Sequence, residues 1–135
     1  DIIDGKNVVI IDDSIIRGTS SASIIQTLRE AGANKIYMIV TYPPVRFPCY
    51  AGIDFPSMEE LLANQKSLNN KQKQELNKKV SKLIGADKVF YNDTTNLSKA
   101  IGIQEEELCF TCSTGNYSSL VITPKFRIRE EVKGE

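Results

Sequence analysis

Two adjacent carboxylates followed by a hydroxyl-rich loop form the stretch of this sequence best suited to chemistry. Asp12 and Asp13 follow the apolar run Val8–Ile11, and residues 14–21 read Ser-Ile-Ile-Arg-Gly-Thr-Ser-Ser. Paired carboxylates suit the vicinal hydroxyls of a ribose, either directly or through Mg²⁺, a hard cation that prefers oxygen ligands. Gly18 allows the backbone to come close to a ligand, and the hydroxyls can donate hydrogen bonds to an anion. The stretch therefore predicts a site for a phosphorylated sugar.

The elements around this loop are predicted to hold it at the edge of a sheet. The run Val8–Ile11 is typical of a strand that is buried on both faces of a parallel sheet. A helix is predicted over residues 21–31, with Gly32 as its left-handed stop, and a second strand over residues 35–40. Strand, helix and strand in this order form a right-handed βαβ unit. The loop thus joins the carboxyl end of a strand to a helix N-terminus, where ligands and anions bind.

The rest of the chain predicts more helices, a short strand and a mixed tail. The elements are a helix over 58–63 that begins at a capping box of Ser57 and Glu60, a helix over 70–84 that ends at Gly85, a strand over 89–91, a helix capped by Thr94 or Thr95 that ends at Ile101, and extended segments at 120–123 and 126–128. An open α/β sheet usually has about five or six strands, more than this pattern shows. The predicted class is therefore α/β, with part of the domain expected outside this chain.

Composition and charge disfavour several classes of protein. Lys and Arg together number 17, as do Asp and Glu, so the formal net charge is zero and a general nucleic-acid binder is not expected. The sequence contains no run of about 18 apolar residues, so no membrane span is predicted. It also contains no positively charged segment followed by an apolar one, so no signal peptide is predicted. We therefore expect a cytoplasmic protein whose cysteines are thiols or metal ligands rather than disulfides. The absence of histidine removes the most common general base.

The three cysteines leave several roles open. Cys109 and Cys112 form a C-x-x-C pattern, which suits a redox pair or half of a metal site. Cys49 is the only cysteine in a proline-rich stretch. A single cysteine is commonly a free, buried thiol. Three thiolates are one short of the four that a Cys₄ zinc site or an iron–sulfur cluster uses. The pattern by itself does not choose among these roles.

Asp12 to Ser20 resembles the phosphoribosyl-pyrophosphate (PRPP) signature of type I phosphoribosyltransferases. The form Asp-Asp-Ser-Ile-Ile-Arg-Gly-Thr-Ser is similar to the version in glutamine PRPP amidotransferases, except that the family usually has Thr where this chain has Ser20. Serine keeps the hydroxyl, so the phosphate contact is expected to remain. The resemblance implies that Asp12 and Asp13 serve the ribose and Mg²⁺, and that residues 17–21 hold the 5′-phosphate. The implied PRPP-binding residues are Asp12, Asp13, Ser14, Arg17, Gly18, Thr19, Ser20 and Ser21.

The resemblance continues beyond the loop. Residues 42–54 resemble the family segment that follows the next strand, and residues 55–61 resemble the start of the helix after it. The similarity is dense over about residues 1–64 and patchy thereafter, with a last match at residues 109–117. The joint occurrence of these segments is more specific than any one of them.

The cysteines match one branch of this family. That branch carries a [4Fe–4S] cluster, with one ligand in a Pro-Cys segment and two in a C-x-x-C near the C-terminus. The resemblance implies that Cys49, Cys109 and Cys112 are three cluster ligands and that the fourth lies upstream, outside this chain. The cluster is thus expected in the full-length protein, and this chain alone is expected to hold empty thiols.

The resemblance implies a partial type I phosphoribosyltransferase domain, Rossmann-like with a parallel sheet, and a mixed tail from about residue 105 to 135. The family transfers glutamine-derived ammonia to PRPP, giving 5-phosphoribosylamine, glutamate and pyrophosphate in the first step of de novo purine biosynthesis. The chain starts at Asp1 and shows neither the glutaminase domain nor the pyrophosphate loop and lid that precede the PRPP loop. We therefore expect an inactive part of a homo-oligomeric enzyme, with no catalytic residue of its own.

Three other functions are compatible with parts of the sequence pattern. A non-catalytic PRPP-binding regulatory module would keep the loop, but it would have no need of the three cysteines. A salvage-type base phosphoribosyltransferase would need a hood that binds the base, and none is identifiable in the sequence. A zinc-binding interaction domain would be favoured only if Asp12 and Asp13 proved buried and structural.

Overall fold

The structure is a computed structural model that describes residues 2–50, 57–64 and 69–118. Its elements in chain order are β1 (Asn7–Asp12), α1 (Thr19–Glu30), β2 (Lys35–Val40), a 3₁₀ turn (Met58–Glu60), α2 (Asn70–Ile84), β3 (Lys88–Tyr91), α3 (Thr94–Ile101), a second 3₁₀ turn (Glu105–Glu107) and α4 (Thr111–Thr114). The predicted α/β class is confirmed. The extended segments predicted at 120–123 and 126–128 lie outside the described residues. None of the helices in the described ranges has the length and apolar character needed to cross a membrane.

The strands of the described residues form one parallel sheet in the order β1, β2, β3. β1 pairs with β2 so that Ile10 lies opposite Met38, and β2 pairs with β3 so that Ile39 lies opposite Phe90. Because each new strand is added on the same side of the previous one, right-handed crossovers carry both connecting helices to one face of the sheet. In agreement, α1 packs against α2, and α2 packs against β3.

The core lies between the sheet and these two helices. Ile36, Met38 and Val40 occupy alternate positions of β2 and are 0% exposed. They pack with Leu76 and Val80, which lie one turn apart on α2. Full burial of an aliphatic side chain of this size contributes about 1.5–3 kcal/mol. The alternation in β2 and the four-residue spacing in α2 therefore explain why these elements pack together.

The opposite face of the sheet is exposed, which corrects the prediction that Val8–Ile11 is buried on both sides. Val9 and Ile11 are 55% and 69% exposed, and Phe90 of β3 is 48% exposed. Val8 and Ile10 are partly buried against the core, because α1 and α2 lie on their side of the sheet. An apolar run is typical of a strand that is covered on both faces. The run by itself does not show which of the two faces the helices of this chain cover.

Side-chain and glycine caps set the helix ends. The Asn69 side chain accepts a hydrogen bond from the Gln72 N–H at 3.0 Å, and Gln72 accepts one from the Asn69 N–H at 2.7 Å. The helix that follows ends at Gly85, with a φ of 81°, as predicted. α3 is capped by Asp93 rather than by the predicted Thr94 or Thr95, because the Asp93 carboxylate reaches the Asn96 N–H at 2.8 Å.

The capping box predicted at Ser57 and Glu60 is absent. Ser57 makes no side-chain cap bond, and the segment is a 3₁₀ turn over Met58–Glu60 rather than a helix to residue 63. The Glu60 carboxylate instead binds the Arg17 guanidinium at 2.9 Å. The local pattern predicted that this carboxylate caps a helix, but it is hydrogen bonded to Arg17, 43 residues away.

Asp87 connects β2, α1 and the start of β3 at the amino edge of the sheet. Its carboxylate accepts a hydrogen bond from the Ile36 N–H at 2.8 Å, pairs with Arg29, and lies 3.2 Å from Lys35 Nζ. The Asp87 N–H donates to the Ile36 carbonyl at 2.8 Å. The Ile36 N–H contributes most to holding the pKa of Asp87 well below its ordinary value, followed by Arg29.

Candidate functional site

Asp12 and Asp13 lie at the carboxyl end of β1, as the sequence predicts. The N–H groups of Thr41 and Tyr42, which follow β2, donate to the carbonyls of Asp12 and Asp13, both at 2.9 Å. The half-buried Asp12 carboxylate accepts the Asp13 N–H at 3.0 Å, whereas Asp13 is exposed. The backbone is therefore held by the neighbouring strand, and the Asp13 carboxylate can reach a ligand. A zinc-binding interaction domain would be favoured only if both carboxylates were buried, and Asp13 is exposed.

A buried side chain anchors the loop that follows. Ile15 is 1% exposed and belongs to the core, and the Ile16 carbonyl accepts a hydrogen bond from the Leu62 N–H at 2.9 Å. The Arg17 side chain extends to Glu60, and both groups are about half exposed. Such a pair is worth about 0–1 kcal/mol, so a phosphate can compete for the guanidinium. The contact between Arg17 and phosphate stays a prediction.

Gly18 ends the loop and begins α1. It has a φ of 78°, and no side chain caps the first turn of this helix, which also lacks acidic residues. Thr19 and Ser20 are exposed, and Ser21 is 4% exposed. The N–H groups and the positive end of the helix dipole are therefore not neutralised by a side chain, which suits them to an anion.

A side chain at residue 18 would disturb this loop. A Cβ there would lie 2.7 Å from Leu62 Cδ2 and 3.2 Å from Ile84 Cγ2. The left-handed backbone would add strain of about 1–2 kcal/mol. A Gly18→Val variant would therefore change the packing of the loop as well as its approach to phosphate, so anion binding is better tested in the unaltered chain.

An open cleft runs from Asp13 to the C-x-x-C pair. Its volume is about 510 Å³, and its lining includes Asp13, Ser14, Tyr42, Cys109 and Cys112. The sequence suggests no connection between the PRPP loop and the C-x-x-C, but the tertiary structure places them on one cleft. Tyr42 was not identified by sequence reasoning. The available signal was its position just after a predicted strand, at the same sheet edge as Asp13.

Hydrogen bonds join the proline-rich segment to the C-x-x-C. The N–H groups of Arg46 and Phe47 both donate to the Cys112 carbonyl, at 2.8 and 2.9 Å. The Tyr117 hydroxyl donates to the Pro48 carbonyl at 2.6 Å. The Tyr117 ring also packs against the ring of Tyr50, with ring centroids 4.9 Å apart. Hydrogen bonds and aromatic side chains therefore hold the two segments together.

The thiols influence one another. Burial raises the pKa of Cys112, and the nearby thiols of Cys49 and Cys109 raise it further. Hydrogen bonding to Thr111 lowers the pKa of Cys109. Burial and a hydrogen bond with Cys112 raise the pKa of Tyr42 well above its ordinary value. Its hydroxyl therefore stays protonated at neutral pH and donates to the Cys109 carbonyl at 3.0 Å.

These donors fit the two implied metals to different degrees. Asp12 and Asp13 supply adjacent carboxylates at an open edge, and Mg²⁺ at phosphate sites uses one or two carboxylates together with phosphate and water oxygens. In the part of the chain that the structure describes, no three His, Cys, Asp or Glu side chains are arranged to hold a metal. Cys49 and Cys109 lie near enough to Cys112 to raise its pKa, but a cluster would require a further ligand and a change in side-chain geometry.

The chain is similar to amidophosphoribosyltransferases of plants and archaea. It is 38% identical over 116 residues to amidophosphoribosyltransferase 1, chloroplastic, of Arabidopsis thaliana, matching 86% of this chain and 19% of that protein. It is 41% identical over 117 residues to the Pyrococcus horikoshii enzyme and 37% identical over 129 residues to the Methanocaldococcus jannaschii enzyme. These matches cover 24% and 25% of the two archaeal proteins, and 87% and 96% of this chain. No family model matches the chain.

Solved structures give the same result for the fold. The glutamine PRPP amidotransferase from B. subtilis complexed with ADP and GMP superposes with a TM-score of 0.72 at 36% identity, over 87% of this chain and 25% of that one. A structure described as the allosteric regulatory enzyme of purine biosynthesis superposes with a TM-score of 0.75 at 35% identity, over 93% of this chain and 26% of that one. The chain is thus similar, in sequence and in α/β fold, to amidophosphoribosyltransferases over about a fifth to a quarter of their length.

Proposed function

We propose that this chain is the PRPP-binding part of an amidophosphoribosyltransferase. The observation that carries the proposal is one continuous order: strand β1, Asp12 and Asp13, a buried anchor, and the uncapped N-terminus of α1. Carboxylates stand at one end of this loop and helix N–H groups at the other. A ribose phosphate has hydroxyls at one end and an anionic phosphate at the other. Its hydroxyls can therefore contact the carboxylates while its phosphate contacts the helix N–H groups. The relatives, at 34–41% identity, support the same assignment.

In this proposal the residues of the chain bind and orient the substrate. Asp12 and Asp13 hold the ribose hydroxyls and Mg²⁺, and the segment Arg17 to Ser21 holds the 5′-phosphate. Bound Mg²⁺ would supply positive charge against the pyrophosphate group. The complete enzyme would add glutamine-derived ammonia to C1 of PRPP and release pyrophosphate. We also propose that the complete enzyme is cytoplasmic and homo-oligomeric.

Ribose 5-phosphate tests the phosphate end of the site. Added to the isotopically labelled chain in the millimolar range, it should shift the backbone amide resonances of Gly18, Thr19, Ser20 and Ser21 in a saturable manner. The reason is that uncapped N–H groups at a helix N-terminus bind anions. The first turn of α2, which Asn69 caps, provides an internal reference and should not respond. Ribose without phosphate should leave the same loop amides unchanged. Equal shifts at both helices, or none at the loop, would show that the phosphate site lies elsewhere.

We further propose that Cys49, Cys109 and Cys112 bind a [4Fe–4S] cluster together with a fourth cysteine from outside this chain. The contacts between the proline-rich segment and the C-x-x-C support this, since they bring the three thiols near one another. A cubane held by four thiolates would leave no open position for substrate, so its role would be structural.

Purification of the complete protein without oxygen provides the test. Iron and sulfide are expected in roughly equal amounts, as a cubane implies. Cys112→Ser should lose both, whereas Thr114→Ala, an exposed change two residues away, should keep them. Because hydrogen bonds already join the two segments, loss of the cluster should lower stability without unfolding this part of the chain. Stoichiometric zinc with no sulfide would contradict the proposal.

A further inference from the structure

The segment of residues 57–64 lies against the PRPP loop and is anchored in the core. Leu61 and Ala63 are 3% and 0% exposed. The Asn64 side chain donates a hydrogen bond to the Met58 carbonyl at 2.7 Å, which closes the segment on itself. The 3₁₀ turn within this segment therefore has a backbone that the core holds in place.

Three consecutive residues of the loop contact this segment. The Ile16 carbonyl accepts the Leu62 N–H at 2.9 Å. Gly18 lies so close to the Leu62 side chain that a Cβ at residue 18 would be 2.7 Å from Leu62 Cδ2. Between these two contacts, Arg17 pairs with Glu60. The loop is thus held on both sides of Arg17, so its side chain can change partner while the backbone stays in place.

The Glu60 carboxylate occupies one edge of the Arg17 guanidinium. Its Oε2 atom lies 2.9 Å from both Nε and Nη2 of Arg17. In the ranges that the structure describes, no other acidic side chain forms an ion pair with this guanidinium. The two side chains are 45% and 49% exposed, so a ligand can reach both of them. The carboxylate therefore lies where an anionic ligand of Arg17 would bind.

A phosphate at the start of α1 would compete with Glu60 for this guanidinium. Arg17 directly precedes Gly18, the N-cap residue of α1. Phosphate oxygens can accept hydrogen bonds from the helix N–H groups and the guanidinium at once, whereas an exposed carboxylate pair is weak. The phosphate also brings negative charge toward Glu60, and like charges repel. Both effects favour transfer of the guanidinium from Glu60 to the phosphate.

We infer that Glu60 sets the affinity of the phosphate end of the site. Its carboxylate neutralises Arg17 while the loop is empty and yields the guanidinium to the phosphate of the substrate. The inference rests on the proposed function and adds to it a residue that lies outside the PRPP loop. A neutral sugar cannot take the guanidinium from a carboxylate, so Glu60 lowers the affinity of phosphorylated ligands only.

Glu60→Gln tests this inference, because glutamine keeps the shape and one oxygen of the side chain and removes its charge. Ribose 5-phosphate, titrated into the labelled variant and followed at the amides of residues 18–21, should bind about two- to fivefold more tightly than to the parent chain. Glu75→Gln, which removes the same charge from an exposed position on α2, should bind it with the affinity of the parent chain. Ribose without phosphate should show no gain with either variant.

A second pair of measurements shows whether Glu60 acts through Arg17. In an Arg17→Gln background, Glu60→Gln should no longer change the affinity for ribose 5-phosphate, since the shared partner is absent. A structural effect of the substitution would persist in that background. In the parent chain, the Arg17 Nε–H resonance should shift with the same titration midpoint as the amides of residues 18–21, because the guanidinium changes partner when the phosphate binds.

The inference is overturned if Glu60→Gln binds ribose 5-phosphate unchanged or more weakly, or if the gain persists in the Arg17→Gln background. It is also overturned if the Arg17 Nε–H resonance does not respond. In each of these cases, saturable shifts at residues 18–21 leave the proposed PRPP site intact. The absence of any shift at residues 18–21 of the parent chain would overturn both the inference and the proposed function.

Discussion

The double substitution Asp12→Asn with Asp13→Asn should weaken binding of Mg²⁺-PRPP about 100-fold or more. Each carboxylate is proposed to accept charge-assisted hydrogen bonds from ribose or to contact Mg²⁺. The loss of one such interaction typically costs about 1.5–3 kcal/mol, and each 1.4 kcal/mol is a factor of ten. Asparagine keeps the oxygen that accepts the Asp13 N–H at 3.0 Å in the wild-type chain, so the turn should persist. Calorimetric titration with PRPP, with and without Mg²⁺, measures the effect, and the Mg²⁺ dependence itself should disappear.

The control for this experiment removes two carboxylates from the opposite edge of the sheet. Asp4→Asn with Glu30→Gln changes the net charge by the same amount, and both residues are exposed near the amino ends of the strands. Affinity for Mg²⁺-PRPP should be unchanged in this variant. If the Asp12 and Asp13 variant is folded and binds with unchanged affinity, the carboxylates do not belong to the site.

Replacement of Asp87 by Ala should lower the free energy of unfolding by about 2–3 kcal/mol at neutral pH. The largest part is the charge-assisted hydrogen bond from the Ile36 N–H, which would be left without its acceptor. The pairs with Arg29 and Lys35 add little, because both side chains are substantially exposed and water screens them. Urea denaturation followed by circular dichroism measures the change.

The pH dependence of stability gives a second measurement on Asp87. Its pKa is depressed in the folded chain, so its contribution is present above the unfolded value of about 3.9 and is lost as the pH falls below that value. The wild-type chain should therefore lose more stability between pH 5 and about pH 3 than Asp87→Asn does. Asp4→Asn, which also removes one carboxylate, controls for the change in net charge. Parallel curves for the wild type and Asp87→Asn would show that the network does not stabilise the charged form.

The elements that the sequence predicts well depend on neighbouring residues. β2 over 35–40 and α2 over 70–84 have the observed bounds, and Gly85 adopts the left-handed conformation that ends α2. Residue periodicity and a glycine stop act within one or two turns, so the local sequence contains them. The pattern was less reliable at helix starts, where Asp93 rather than Thr94 caps α3. Several neighbouring polar residues can compete for the same N–H group.

In the candidate site, too, the features that depend on neighbouring residues were predicted and a contact between distant residues was not. The order of Asp12, Asp13, Gly18 and α1 is a continuous segment, so its chemistry could be derived from residue types and spacing. The pairing of Arg17 with Glu60 could not, since 43 residues separate them and the local pattern gave Glu60 a different partner.

The sequence by itself determined which groups could bind a ribose phosphate and which strand and helix present them. Only the tertiary structure placed Tyr42 beside Cys109, 67 residues away, and aligned both with Asp13 along one cleft. It also left one face of β1 exposed. The reason is that turns and periodic faces depend on nearby residues, whereas these contacts arise only when distant segments pack around a shared core.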